Sequence, residues 1–362
     1  MGTSLNRFDA LRLGLASMVF LYHAAALSGM YTETPTERLL GALAELSIQG
    51  FFVISGALIY GSWARARGLA DYAGKRIRRL YPAYLVVILI PAMMSFILSF
   101  GQAGALGQIG SYVGANLVFL NFLQPDLPGL FDGQRMTAVN GALWTLKIEV
   151  MFYLILPLLA WGLSRLGRAW WIGIAGLILL AFAWRHGMLA SGHPLSDRLA
   201  RQLPGQMMYF AAGIVLWRLW APLQAQSRLM VLIGALSLTL SLLVPPLEAL
   251  RVLGLFGIIA GLAFVPGPAL NAARWGDVSY GVYIVHFPVV QALVGFGLFD
   301  RLGFAGGLTV STLLVFALSY LLWWWVEKPA LRRDSHYRQV SEERAADWPN
   351  TKPSNSTPHG TV

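Results

Sequence analysis

The stretch FDALRLGLASMVFLYHAAALS, residues 8–28, decides the fold class. It is apolar over the length needed to cross a bilayer, because a transmembrane helix requires about 20 mostly apolar residues. Nine further stretches share this character, so the sequence predicts about ten membrane spans. These are residues 8–28, 45–63, 80–100, 142–163, 170–186, 205–221, 228–245, 250–266, 279–298 and 306–327.

The composition also indicates a membrane protein. Hydrophobic residues make up 56% of the chain and charged residues 12%, whereas soluble domains average about 25% charged residues. The net charge of +10 would suggest a nucleic-acid partner in a soluble protein. Here the basic residues lie in short segments between apolar runs, which is typical of membrane topology signals. We therefore predict an all-α membrane protein with no nucleic-acid partner. The absence of cysteine excludes disulfides, thiol catalysis and Cys-ligated metal.

The distribution of lysine and arginine predicts the orientation and the domain organisation. Most of these residues fall on one side if the N-terminus is cytoplasmic, so the positive-inside rule places both termini in the cytoplasm. The run KRIRRLYP, residues 75–82, is interpreted as the first cytoplasmic loop. Residues 101–141 are predicted to form a structured external loop with one interfacial helix. We expect one membrane domain over residues 1–333 and a disordered cytoplasmic tail over residues 334–362.

Ionisable residues inside the first span mark candidate chemistry, because such groups are costly in lipid. Arg12 and His23 fall within about 20° of the same helix face and about 16 Å apart along it. Asp9 lies one turn before Arg12 on nearly the same side. Histidine can act as a base, an acid or a nucleophile near neutral pH. The alternative interpretation is a packing histidine bonded to a neighbouring carbonyl.

The fourth span contributes a glutamate that lies within the bilayer. Glu149 and Tyr153 share a helix face, whereas Lys147 and Glu149 do not. The partners that the sequence suggests for Glu149 are Arg12, Lys147 and His23. The alternative role is a buried ion pair that holds helices together.

Two further pairs were considered as functional. Arg76 and Arg79 share a helix face, and two guanidinium groups suit a phosphate-rich ligand, although charge alone favours contact with lipid headgroups. Tyr283 and His286 share a face of the ninth span, where packing and function remain equally open. Pro288 is expected to kink that helix.

Two other features are predicted to be structural. Gly56 and its neighbour Ser55 lie in the second span, where small residues let helices approach closely. Glu327 follows a belt of tryptophans at the end of the tenth span, and we expect it to form an ion pair with a basic segment.

Six motifs in sequence resemble the acyltransferase 3 family of membrane O-acyltransferases. Each motif is short, but together they extend from about residue 7 to 333 in the family's order. They are Arg12 and His23 with ten residues between them, FFVISG at 51–56, RIRRLYP at 76–82, LWTLKIE at 143–149, SYGVYIVHFP at 279–288, and EKP at 327–329.

The resemblance implies an enzyme that moves an acyl group, here taken as acetyl, from cytoplasmic acetyl-CoA to a sugar hydroxyl outside the membrane. The implied acceptor is an exopolysaccharide or its lipid-linked precursor, and the implied location is the bacterial cytoplasmic (inner) membrane. Polysaccharide-assembly proteins are the partners to test. No metal is expected, because the two intramembrane histidines lie on different spans without ligand-like spacing.

The resemblance also implies roles for individual residues. Arg12 and His23 correspond to a catalytic pair, and Arg76 and Arg79 to a basic pair near the donor. To the donor-binding set we add Arg12 from its charge. We add Glu149 to the catalytic set. Supporting residues are Asp9, Trp144, Tyr153, Tyr283 and His286.

The sequence leaves two other classes open, a proton-coupled transporter or flippase and a structural subunit of a polysaccharide-export complex. Against a transporter, the sequence shows no internal repeat and no matched pair of broken helices. Only the enzyme should consume acetyl-CoA. Whether His23 acts as a general base or as a transient acyl carrier also stays open.

Overall fold

A computed structural model describes residues 7–244, 247–266 and 276–332, and within these residues all regular structure is helical. This confirms the predicted all-α class. The predicted tail, residues 334–362, lies outside the described residues. In chain order the α-helices are α1 Phe8–Ser28, α2 Pro35–Ala64, α3 Leu69–Leu98, α4 Ala105–Leu117, α5 Trp144–Arg165, α6 Trp170–Ala190, α7 Ser196–Ala200, α8 Leu203–Arg218, α9 Trp220–Ala225, α10 Ser227–Leu243, α11 Leu250–Phe264, α12 Val278–Gly295, α13 Leu298–Leu322 and α14 Lys328–Ala330.

Helices occur at all ten stretches predicted as spans, and seven helical segments are long and apolar enough to cross a membrane. The other three correspond to α8, α10 and α11, which have 16, 17 and 15 residues. At 1.5 Å per residue these reach about 23–26 Å, against about 30 Å of hydrocarbon. The described residues thus form a multi-pass helical membrane protein, while the number of ten spans stays a prediction.

Local signals explain where the first two helices end and begin. Gly29, with φ 71°, terminates α1 in the left-handed conformation that glycine adopts without steric cost. The Thr34 side chain accepts a hydrogen bond from the Glu37 amide, and Pro35 occupies the first turn of α2. The second helix therefore starts ten residues earlier than the apolar run beginning at residue 45 predicts.

Glycines allow α2 and α8 to contact each other backbone to backbone. A Cβ atom on Gly56 would lie 2.1 Å from the Phe210 carbonyl oxygen, and one on Gly213 would lie 2.0 Å from the Val53 carbonyl oxygen. No side chain fits there, so the packing role predicted for Gly56 is confirmed.

The basic run KRIRRLYP is part of a helix rather than a loop, which corrects the prediction. Helix α3 begins at Leu69 and continues through Pro82 and Pro91 to Leu98. Charged residues can extend a spanning helix beyond the hydrocarbon, where their side chains find polar surroundings. Arg76 and Arg79 are therefore held at fixed positions on α3.

Residues 101–141 contain one helix of more than one turn among the described residues, α4, as predicted, and its interfacial location stays a prediction. It follows α3 back into the bundle, where the Tyr84 hydroxyl donates to the Asn116 carbonyl over 3.0 Å. The chain then returns to the end of α3, where the Ser95 hydroxyl donates to the Pro128 carbonyl over 2.6 Å. Since Tyr84 lies about 16 Å deeper along α3 than Ser95, α4 enters the bundle to that depth.

Candidate functional site

Asp277 forms the centre of an ionic cluster at the start of α12. Its Oδ2 accepts a hydrogen bond from Arg12 Nη1 over 2.8 Å and another from Arg79, while its Oδ1 accepts one from Ser279 over 2.6 Å. The side chain is only 1% exposed. Burial opposes ionisation, but the guanidinium groups of Arg12 and Arg79 hold the pKa of Asp277 below its usual value. The carboxylate is therefore charged at neutral pH.

A second buried acid completes the cluster. Glu327 lies in a π-helical turn, Trp323–Glu327, and accepts a hydrogen bond from Arg79 over 2.7 Å. The predicted ion pair between Glu327 and a basic segment is thus confirmed. The guanidinium of Arg79 also stacks over the Tyr280 ring at 5.4 Å. Arg79 therefore bridges two buried carboxylates.

Arg76 points to different partners from Arg79, although both lie on α3. It donates to the Ser62 hydroxyl over 3.1 Å and lies over the Tyr153 ring at 5.8 Å. Its Nε is buried and has no hydrogen-bond partner among the described residues. The structure therefore does not show the two arginines acting together on one ligand.

The two intramembrane histidines meet deeper in the bundle. His23 Nδ1 and His286 Nε2 are hydrogen-bonded at 2.8 Å, and the rings stack with centroids 5.0 Å apart. His286 Nδ1 is 2.9 Å from the Val282 carbonyl oxygen. His286 is fully buried, whereas His23 is half-buried. Arg12 and His23 both contact α12, which confirms their predicted shared face on α1.

A cavity of about 50 Å³ lies beside the segment of α12 between the ionic cluster and the histidines. Its polar wall includes Arg12 and Glu149, and it extends past Tyr283, whose hydroxyl is hydrogen-bonded to Thr145 at 2.7 Å. This volume holds a few water molecules. A larger ligand would therefore enter only after side chains along the cavity move apart.

Of the residues singled out on α5, Glu149 lines this cavity. The Tyr153 hydroxyl donates to the Glu149 carboxylate over 2.6 Å, which confirms that they share a face. Of the three partners considered for Glu149, Arg12 lines the same cavity. Lys147 lies over the Phe122 ring at 4.6 Å.

The structure also locates three further residues that the sequence analysis named. Trp144 lines a second cavity of about 130 Å³ between α4 and the start of α5. Asp9 interacts electrostatically with Arg12 and Asp277. Helix α12 continues through Pro288 to Gly295. Among the residues described, no three His, Asp or Glu side chains are grouped as metal ligands.

Sequence reasoning missed the importance of Asp277 and the contact between His23 and His286. A signal for Asp277 was present, because an acidic residue immediately before a helix interacts favourably with the helix dipole. No such signal existed for the histidine contact, which joins residues far apart in the chain.

Comparison with known proteins places this site in a family. The sequence profile of the acyltransferase domain matches residues 5–324, so the chain belongs to this acyltransferase family and the predicted resemblance is confirmed. The protein is accordingly a multi-pass membrane acyltransferase.

Three relatives illustrate the range of the family. The chain is 26% identical to the O-acetyl transferase of Shigella phage Sf6, over 91% of this chain and 97% of the relative. It is 26% identical to Nodulation protein 10 of Rhizobium leguminosarum bv. viciae, over 90% and 93% of the two chains. It is 25% identical to acyltransferase MdmB of Streptomyces mycarofaciens, over 83% and 84%. No solved structure matches the chain.

Proposed function

We propose that this protein transfers an acetyl group from cytoplasmic acetyl-CoA to a sugar hydroxyl on the other side of the bacterial cytoplasmic membrane. The observation that carries the proposal is the arrangement along α12. The ionic cluster around Asp277 and the His23–His286 pair lie at opposite ends of the segment that lines one cavity. A donor could thus approach from the charged end and meet an acceptor near the imidazoles.

The donor's phosphates are assigned to Arg76 rather than to Arg79. Arg79 is bonded to Asp277 and Glu327, so a phosphate would have to displace two carboxylates. Arg76 has a buried, unpartnered Nε and lies over Tyr153, which adjoins the cavity residue Glu149. A guanidinium suits phosphate because it offers several donors in one plane.

His23 performs the proton transfer in this proposal. It takes the proton of the acceptor hydroxyl while the hydroxyl oxygen forms a bond to the thioester carbonyl carbon. The tetrahedral intermediate then breaks its carbon–sulfur bond, and the departing thiolate takes the proton from His23. The products are an O-acetyl ester and CoA with a free thiol, so atoms and charges balance.

Arg12 and Glu149 have distinct roles in the same proposal. Arg12 lines the charged end of the cavity, where its ion pair with Asp277 fixes the position of its guanidinium group. Glu149 lines the cavity, and we assign it a long-range contribution to the imidazolium that forms at His23 during transfer, since it does not contact the ring. The acceptor class, an exopolysaccharide or its lipid-linked precursor, rests on the family resemblance.

Acyl transfer by purified protein tests the proposal. Wild type, His23→Ala and His193→Ala would be supplied with labelled acetyl-CoA and a bacterial surface-polysaccharide extract, following label in carbohydrate and release of CoA. His193 lies in an exposed turn between α6 and α7, which makes His193→Ala a matched control. We expect wild type and the control to transfer label, and His23→Ala to lose about 10²–10⁴-fold in rate.

Two outcomes would redirect the interpretation. If folded wild type neither released CoA nor transferred label, the transporter or flippase class would be favoured. If acetylated His23 accumulated without acceptor, the imidazole would be an acyl carrier instead of a general base.

A further inference from the structure

We propose that His286 is a positioning residue that fixes the tautomer of His23, so that Nε2 of His23 carries the lone pair used in the reaction. This inference rests on the proposed role of His23. It concerns which nitrogen of each ring bears the proton, a property that follows from the hydrogen bonds of the pair.

The argument starts at the Val282 carbonyl. A carbonyl oxygen only accepts hydrogen bonds, so His286 Nδ1, at 2.9 Å from it, must carry the proton. A neutral imidazole has one N–H, and His286 Nε2 is therefore an acceptor. The nitrogen opposite it, His23 Nδ1 at 2.8 Å, must then be the donor. Consequently Nε2 of neutral His23 is unprotonated.

The surroundings favour a neutral pair. Aromatic rings contact the two imidazoles, with Phe20 and Tyr283 beside His286, and Tyr22 and Phe287 beside His23. No carboxylate contacts either ring among the described residues. A positive charge shared by the pair would therefore be buried without a counter-ion, which is costly.

The helix itself holds His286 in this orientation. Val282 and His286 are one helical turn apart on α12, and the Val282 carbonyl has two lone pairs, one for the helix and one for the imidazole. The next turn is fixed from outside, because Asn140 Nδ2 donates to the Ile284 carbonyl over 2.8 Å. The protonation of His286 at Nδ1 is thus set by α12, and His286 presents Nε2 as an acceptor to His23 on α1.

The substitutions that test this role are His286→Gln and His286→Phe. Glutamine offers a carboxamide oxygen that can accept from His23 Nδ1, whereas phenylalanine fills the space without an acceptor. Orienting partners of this kind typically affect rates by about 10–100-fold, so we expect His286→Phe to lower kcat by about that factor with little change in KM for acetyl-CoA. His286→Gln should stay within a few-fold of wild type.

The side-chain ¹⁵N NMR spectrum of histidine-labelled full-length protein reads the tautomer directly. The chain has six histidines, and His23→Ala identifies the His23 signals. We expect a protonated Nδ1 and a bare Nε2 in wild type and in His286→Gln, and a mixture of tautomers in His286→Phe. A purely structural role for His286 would leave the His23 signals unchanged.

A protonated Nε2 on His23 in wild type would overturn the inference, even if neither variant folded. So would full activity and an unchanged tautomer in folded His286→Phe. Because the spectrum needs no turnover, it separates this inference from the proposed function. Inactive wild type with the expected tautomer would refute the transfer reaction but not the proton arrangement.

Discussion

The charges of Arg76 and Arg79 are similar, but their surroundings give the two residues different tasks. Arg79 is bonded to Asp277 and Glu327, whose side chains are 1% and 2% exposed. Removing one partner from a buried ion pair leaves an uncompensated charge, which costs more than the pair itself contributes. Arg79 therefore maintains the ionic cluster, and Arg76 remains the arginine proposed to meet the donor.

Substitution should separate these tasks. We expect Arg79→Gln to lower the free energy of unfolding by about 3–5 kcal/mol, because it removes the guanidinium bonded to buried Glu327 and leaves buried Asp277 with Arg12 as its ion-pair partner. We expect Arg76→Gln to raise KM for acetyl-CoA with a much smaller loss of stability. Thermal unfolding in detergent and initial-rate kinetics measure the two effects.

Arg78→Gln serves as the control, because Arg78 lies on the same turn of α3 but is exposed. A surface change of this kind should alter stability by no more than about 0.5 kcal/mol. If Arg79→Gln were as stable as the control, the cluster would contribute little to the fold. If Arg76→Gln left KM unchanged, the donor phosphates would bind elsewhere.

At the scale of single residues, the sequence predicts which residues share a helix face better than it predicts which residues they contact. Helical periodicity places Arg12 and His23 on one face of α1, and the structure confirms it through contacts with Asp277 and His286. Periodicity does not say which helix lies opposite that face. The partners of Arg12 and His23 are more than 250 positions away in the chain, so only the folded bundle reveals them.

At the scale of helices, the apolar runs could be predicted from the sequence, whereas the polar turns that extend these helices could not. Hydropathy detects the hydrocarbon-crossing part of a helix, whereas α2 and α3 continue into polar sequence at Pro35 and Leu69. The packing of helix α4 along α3 could not be predicted, for the opposite reason. Its sequence, ALGQIGSYVGANL, is glycine-rich and only 13 residues long, so neither length nor hydropathy indicates that it enters the bundle.

The α2–α8 contact gives a prediction at this scale. Gly56→Ala adds one Cβ where the Phe210 carbonyl oxygen lies 2.1 Å away, so the helices must separate. Overpacking of this kind costs about 1–3 kcal/mol. We expect a correspondingly lower midpoint of thermal unfolding in detergent.

Gly74→Ala is the matched control within a helix, since a Cβ on Gly74 of α3 would meet no atom within 4 Å. Alanine favours helix by about 1 kcal/mol over glycine, so the control should be neutral or slightly stabilised. Equal behaviour of the two variants would contradict the close approach of α2 and α8.

At the scale of the whole molecule, the buried ionic cluster around Asp277 lies toward one end of the helical bundle, so the two ends differ. The start of α1, the early turns of α3, the start of α12 and the π-helical turn after α13 meet in the ionic cluster, while the histidine pair lies further along α1 and α12. The positive-inside rule predicts that the charged end faces the cytoplasm. This orientation would place acetyl-CoA and the acceptor on opposite sides of the same cavity.

Because the sequence contains no cysteine, single cysteine substitutions can report which end of the bundle faces the cytoplasm. Arg67→Cys lies before α3, Gln102→Cys lies after it, and both positions are exposed. Val118→Cys lies at the deep end of α4, with 61% of the residue exposed at a depth where the surroundings would be lipid. Labelling with a membrane-impermeant maleimide in oriented vesicles reports the side that each thiol faces.

We expect Arg67→Cys to react only from the cytoplasmic side and Gln102→Cys only from the opposite side. Val118→Cys should react after detergent is added, because thiols in hydrocarbon neither ionise nor meet a water-soluble reagent. Reaction of Val118→Cys in intact vesicles would place the end of α4 in water and support the predicted interfacial helix. If Arg67→Cys reacted from outside and Gln102→Cys from the cytoplasm, the orientation of the bundle would be the reverse of the predicted one. The ionic cluster would then face away from a cytoplasmic donor, and the proposed transfer across the membrane would lose its basis.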